Sequence, residues 1–174
     1  MLERVFRIDI NAPVSRVWDE ITRRGVAHPA MFGTYLHAEM KPGSVMSYRD
    51  KSEKHTFVLG KILEVQPPRR LVHTFRFSME ADEPTLVVWE LAESGGGTRV
   101  TVTHSRFAGE TRTYKSVSTS WPKILGIYKR QIESNSVALG VRMLNGMMMG
   151  MSFMLPKKAG TETTMRLPLD VPPG

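Results

Sequence analysis

Residues 63–105 read LEVQPPRRLVHTFRFSMEADEPTLVVWELAESGGGTRVTVTHS, and the alternation inside this stretch decides the fold. It predicts the end of one strand and three further strands: Leu71–Met79, Thr85–Glu93 and Thr98–Ser105. Pro67-Pro68 closes the strand before them, because neither proline can donate to a ladder. Ser94-Gly95-Gly96-Gly97 joins the last two as a turn. If Glu93 pairs with Thr98 around that turn, Leu91 faces Val100, Trp89 faces Val102 and Val87 faces His104. The period of two keeps these on one side of the sheet. Leu71, His73, Phe75, Phe77 and Met79 share that side. Arg76, Ser78, Glu90, Arg99, Thr101 and Thr103 fall on the other, which suits water. A sheet with one such apolar face must bury it against another layer.

Upstream, residues 3–10 alternate with Phe6, Ile8 and Ile10 on one face and read as a half-buried strand. Pro13 fits the first turn of a helix that carries Val14, Val17, Trp18 and Ile21 at helical spacing. A short second helix is expected near Ala27–Phe32. Residues 34–40 and 45–50 read as strands joined by Lys41-Pro42-Gly43-Ser44. A fourth strand spans His55–Val65. There Val58, Gly60 and Ile62 compete with Phe57, Leu59 and Leu63 for the inner face, a conflict that a bulge resolves.

Downstream, a polar loop is expected over Arg106–Val117. A helix follows with Ser120 as N-cap, Pro122 in the first turn, and Trp121, Leu125, Tyr128, Ile132 and Leu139 as its apolar stripe. Met143–Leu155 then holds six methionines. Val137–Leu155 is long enough to span a bilayer, but Arg142 and Asn145 inside it and Gly140, Gly146 and Gly150 argue against a span. Methionine packs adaptably, so the segment reads as a flap over a cavity mouth or as an exposed patch for a partner copy or a membrane surface. Residues 160–174 are polar and proline-rich and read as a loose tail.

The chain has 174 residues, 41% hydrophobic and 24% charged, as expected for a globular domain with a real core. It has no cysteine, which removes disulfides and thiol chemistry and fits a cytoplasmic setting. Net charge is +7, but the basic residues are scattered and form no nucleic-acid-reading motif. The expected partner is a small hydrophobic molecule, not nucleic acid or a membrane surface, with a homodimer through the methionine-rich segment as a second association.

A strand, two small helices, a six-strand meander and a long C-terminal helix form a helix-grip order. The chain resembles the SRPBCC or START-like (Bet v-like) superfamily, nearest to the branch of activators of heat-shock-protein-90 ATPase and to polyketide cyclase-like proteins. Ala12-Pro13, Arg16-Val17-Trp18-Asp19 and Lys41-Pro42-Gly43 carry the likeness. So do Ile62–Val65, Pro67–Val72, Val88–Leu91, Gly95–Thr101 and Trp121-Pro122. The resemblance covers roughly residues 3–140. It implies an α+β helix-grip fold with a curved antiparallel sheet of six or seven strands on a long C-terminal helix. Residues 1–140 form that domain, and 141–174 an extension outside the family pattern. The superfamily includes lipid carriers, hormone receptors, ring cyclases and chaperone regulators, with no catalytic set common to all.

The expected cavity lining, between sheet and helix, is His73, Phe75, Phe77, Trp89, Val102, His104, Trp121, Leu125 and Tyr128. Aromatic walls with a few polar groups are what small-molecule pockets look like. His73 and His104 are expected two strands and four residues apart, roughly 16 Å between Cα atoms, too far to share a metal. No catalytic, metal or cofactor site is assigned. Glu64 reads as structural, and Gly95-Gly96-Gly97 lacks the Lys and Ser/Thr of a phosphate loop. Binding of a hydrophobic ligand is the expected function. A cyclase-like enzyme, with His73, His104 or Tyr128 moving a proton, and a chaperone-directed interaction module are the alternatives.

Overall fold

The computed structural model describes residues 1–172. Its eight strands are β1 (Leu2–Ile10), β2 (Ala27–His28), β3 (Thr34–Ala38), β4 (Val45–Arg49), β5 (Thr56–Gln66), β6 (Arg70–Phe77), β7 (Thr85–Ser94) and β8 (Gly97–Phe107). They form one antiparallel sheet in the order β1-β8-β7-β6-β5-β4-β3-β2. Helix α1 (Val14–Ile21) follows β1, and α2 (Arg112–Ser134) follows β8 and lies in the concave face. This is the α+β helix-grip architecture, with one strand more than the six or seven expected. The additional strand is Ala27–His28, at the sheet edge, where a helix was anticipated. Only a single 3₁₀ turn, Pro29–Met31, follows it.

The register read from the alternation holds. Leu91 pairs with Val100, Trp89 with Val102, Val87 with His104 and Glu93 with Thr98. Ser94 pairs with Gly97, leaving Gly95 and Gly96 as a two-residue turn with φ of +57° and +83°. Both positions need left-handed backbone, which glycine supplies without strain and which matches the twist of the flanking strands.

Alternation fails where a strand carries an extra residue. Tyr48 pairs with Val58 and Arg49 with Thr56, so Phe57 is the bulged residue of β5. Between Leu2/Phe107 and Arg4/His104, β8 has one residue more than β1, and Arg106 takes φ +69°. That bulge sends charged Arg106 outward and buries Phe107 completely, at a position expected to be loop.

Helix α2 begins eight residues before the expected Ser120. Thr111 is the N-cap, its hydroxyl accepting the Tyr114 N–H, and the Asp82 carboxylate accepts the Thr113 N–H at 2.7 Å. Those two contacts satisfy donors that would otherwise be orphaned in the first turn. Pro122 is therefore interior to the helix, but it faces water, where the carbonyl left without its partner can be solvated. Asn135, in the left-handed region at φ +51°, ends α2. Leu139 thus belongs to the next helix, α3 (Leu139–Gly150), and is exposed rather than part of the α2 stripe.

The C-terminal residues are docked, not loose. Gly160 bridges to His55, and the Thr161 N–H donates to the Lys54 carbonyl at 2.8 Å. Helix α4 (Thr161–Thr164) packs by β5, with Ala159 and Thr164 buried. Arg76 then donates to the Pro168 carbonyl, and Lys61 pairs with Asp170 at 2.9 Å. This segment covers the outer sheet face at β5 and β6, which alternation assigned to water, and Leu59 there is fully buried.

Gly60 marks the closest approach of two strands. A Cβ at Gly60 would stand 1.9 Å from the Thr74 carbonyl oxygen. That carbonyl occupies the space of a side chain and accepts a hydrogen bond from His73 Nδ1 at 2.7 Å. Gly60→Ala must push β5 from β6, at a cost of about 1–3 kcal/mol typical of overpacking. The expected result is a lower urea midpoint with an unchanged far-UV spectrum, and an unaltered midpoint would contradict this packing.

Candidate functional site

The cavity lies at the N-terminal end of α2 and has a volume of about 250 Å³. Its walls come from several elements of the fold. Tyr48, Phe57 and Val58 stand on β4 and β5, and Phe75 and Phe77 on β6, with Met79 and Glu80 just beyond. Ser116, Val117, Ser120, Trp121 and Ile124 project from α2, while Met31 and Phe32 come from the turn after β2 and Thr34 from the start of β3. Met148 of α3 completes the mouth. The bulge at Phe57 explains how two successive residues of β5 line one space.

Of the nine residues proposed from sequence, Phe75, Phe77 and Trp121 line this cavity. The two phenyl rings meet edge-on, with centroids 4.9 Å apart at 83°. Trp89, Val102, His104, Leu125 and Tyr128 are packed in the core beside it, and His73 is buried on β6. Trp121 bridges the two regions, its ring standing 5.2 Å from Trp89 at 81°. The remaining lining was missed because it lies on short or bulged elements and on the first half of α2, whose early turns were expected to be loop. One signal was available: the run Lys115-Ser116-Val117-Ser118-Thr119-Ser120 has only small side chains for the sheet to meet.

The buried polar groups beside the cavity form two directed chains. The Trp121 indole N–H donates to His104 Nδ1 at 3.0 Å. An indole nitrogen can only donate, so His104 carries its proton on Nε2 and gives it to the Thr85 hydroxyl at 2.7 Å. Thr85 donates in turn to the Phe75 carbonyl at 3.1 Å. In the second chain the Tyr128 hydroxyl donates to His28 Nδ1 at 3.3 Å, and His28 Nε2 donates to the Arg23 carbonyl at 2.5 Å. Both rings of the first pair of histidines, 73 and 104, pair through Val87 in one row across the sheet. Their Cα atoms are therefore two strand spacings apart, about 10 Å rather than the expected 16 Å. The four-residue offset was wrong because the long connection after β6 leaves its register with β7 open in the sequence.

Helix α3 is docked on one side and open on the other. Asn145 Nδ2 donates to the Pro29 carbonyl at 2.9 Å, and a Cβ on Gly33 would come within 3.1 Å of Asn145 Cβ. On its far side Leu139, Met143 and Met147 form an exposed ridge that Met151 and Met154 continue. No helix among the described residues is long and apolar enough to cross a membrane.

Burial depresses the pKa of His73 to about 4 and that of His104 to about 3, from an ordinary 6.5. Both rings are neutral in the folded and the unfolded chain above pH 6.5, so stability is complete there. As pH falls below 6.5 the unfolded chain binds protons that the folded chain refuses, and stability declines until the folded values are reached. At pH 5 the loss is about 2 kcal/mol per histidine. Denaturant midpoints at pH 7 and pH 5 should show this fall, and His104→Gln should make it shallower. An unchanged pH dependence in that variant would contradict a neutral His104.

Comparison with known proteins places this geometry. Residues 11–130, more than half of the chain, match the family model of the activator of Hsp90 ATPase homolog 1-like protein. No curated protein matches the sequence. Among solved structures, CalU16 from Micromonospora echinospora is similar at 19% identity, covering 87% of this chain and 86% of that one, with a TM-score of 0.61. The Aha1 dimer from Colwellia psychrerythraea is 18% identical over 78% of this chain and 99% of that one, with a TM-score of 0.65. An Hsp90 activator from Plasmodium falciparum is 16% identical over 76% and 95%, with a TM-score of 0.60. These likenesses establish a shared helix-grip fold, and the family match together with the strand order and the grip of the sheet on α2 makes this chain a member of the activator of Hsp90 ATPase homolog 1-like family.

Proposed function

We propose that the protein binds a small apolar or aromatic molecule in the cavity between β4–β6 and the first half of α2, as a carrier or sensor. The lining carries the reading. Six aromatic side chains and several methionine and branched aliphatic ones enclose a space with few polar groups. An apolar cavity of about 150 Å³ stays dry and takes up benzene. At about 250 Å³ this one has room for a compound of one or two fused rings, or a short acyl chain.

The cyclase alternative assigns proton transfer to His73, His104 or Tyr128. None of the three lines the cavity, and the polar atoms of His104 and Tyr128 are engaged inside the core. A chaperone-directed role follows from the family description alone and calls for a protein surface rather than a cavity. The ridge on α3 supports a further association, a second copy of the chain packed on Leu139, Met143 and Met147.

Trp121 is a wall residue, so its fluorescence reports occupancy. Naphthalene should change it saturably. Ser120→Phe, which fills the space from α2, should weaken binding at least tenfold while leaving the circular dichroism spectrum intact. Equal binding by the variant would place the molecule elsewhere. Native mass spectrometry of the same samples reads the mass of any retained ligand and of a dimer.

A further inference from the structure

One wall of the cavity carries a hydroxyl, that of Tyr48, which the protein itself does not bond. Tyr48 stands on β4 between Leu36 and Val58 and is 7% exposed. Its ring meets His28 edge-on, with centroids 5.9 Å apart at 90°. His28 cannot serve the Tyr48 hydroxyl, because Nδ1 takes the Tyr128 proton and Nε2 is spent on the Arg23 carbonyl. The other hydroxyl at hand, that of Thr34, donates to the Met31 carbonyl at 2.6 Å. Among the described residues the Tyr48 hydroxyl has no hydrogen-bond partner. A core hydroxyl normally has one, and Tyr128, in the second half of α2, shows how this fold supplies it. Burial also holds the Tyr48 phenol well above its ordinary pKa, so it enters any contact as a neutral donor or acceptor.

The charges around the cavity narrow the partner. Among the described residues the lining contains no lysine, arginine or histidine. Its one carboxylate, Glu80, lies near the mouth, 3.7 Å from Arg112. An anionic ligand would enter without a counter-ion and lose its hydration, which is strongly unfavourable in an apolar space. A plain hydrocarbon would enter but leave the Tyr48 hydroxyl unmet.

We infer that the ligand is a neutral compound of one or two fused rings bearing a hydroxyl or carbonyl, and that the Tyr48 hydroxyl hydrogen-bonds that group. This rests on the cavity reading above and adds to it the polarity and charge of the occupant. Tyr48 is then the specificity residue, and the aromatic walls supply the affinity without discriminating among rings.

Calorimetric titration with naphthalene, 2-naphthol and 2-naphthoate tests it on the full chain. The expected order is 2-naphthol first, about three- to tenfold tighter than naphthalene, as one net hydrogen bond gives. The carboxylate should bind at least tenfold weaker than the naphthol. Tyr48→Phe should abolish the advantage of 2-naphthol over naphthalene. An advantage that survives in the variant, or equal binding of the two neutral compounds by the natural chain, overturns the inference while the cavity reading stands. Failure of all three to bind overturns both. If Tyr48→Phe does not fold, the order of the three affinities on the natural chain decides alone.

Discussion

A single helix has to cover the concave face of an eight-stranded sheet, and most features of this protein follow from how its side chains share that task. Helix α2 runs 23 residues, about 35 Å, while a helix with its side chains is only about 10 Å across. Its second half meets the sheet with Trp121, Leu125, Tyr128 and Ile132 and packs solid against Trp89, Val100 and Val102. Its first half presents Thr113, Ser116, Val117 and Ser120, which are too small to reach the same sheet curvature. The space left over is the cavity. Its position is therefore set by side-chain volume along one helix, without any special loop or insertion.

Trp121 sits where the solid half gives way to the hollow half, and the hydrogen bonds behind it hold that boundary in place. The chain from Trp121 through His104 and Thr85 ends on the backbone of Phe75, so two walls of the cavity are tied to each other through the core. Every buried donor in this chain has an acceptor, the condition under which polar atoms in a core specify geometry instead of destabilising it. The same condition keeps His104 neutral, since a second ring proton would face the indole N–H that Nδ1 accepts. The histidines thus act as fixed connectors of the core. The Tyr48 hydroxyl, on the other wall, lies outside this chain of hydrogen bonds.

Period-two alternation made β7 and β8 legible because each has one wetter and one apolar face and the turn between them is short. The same signal failed where bulges shift it. Arg106 and Phe107 stand in the reverse of the expected order, which itself marks an extra residue, since an arginine does not take an inward position in an apolar cup. Other features depend on contacts that no local pattern carries. The start of α2 relies on Asp82, about 30 residues earlier, and the burial of Leu59 relies on chain about 100 residues later. The cavity walls were only partly legible for that reason: Phe75, Phe77 and Trp121 lie on strongly periodic elements, whereas Tyr48, Phe57 and Met148 lie on short or bulged ones.

The walls are not equally held. Those from β4, β5 and β6 are fixed by strand ladders, and those from α2 by the packed core. Helix α3 has no buried residue, and its contact with the body centres on Asn145 and the chain around Gly33. Three glycines lie within its twelve residues, and each weakens a helix relative to alanine. Opening the cavity at α3 therefore breaks fewer and weaker contacts than opening it anywhere else. Methionine suits that place, because an unbranched thioether side chain can repack against ligands of different outline without a change of backbone. On the reading proposed above, Met148 at the mouth and Tyr48 on the inner wall would divide the work of recognition: the adaptable side chain would close over the ring, and the fixed hydroxyl would select its polar substituent.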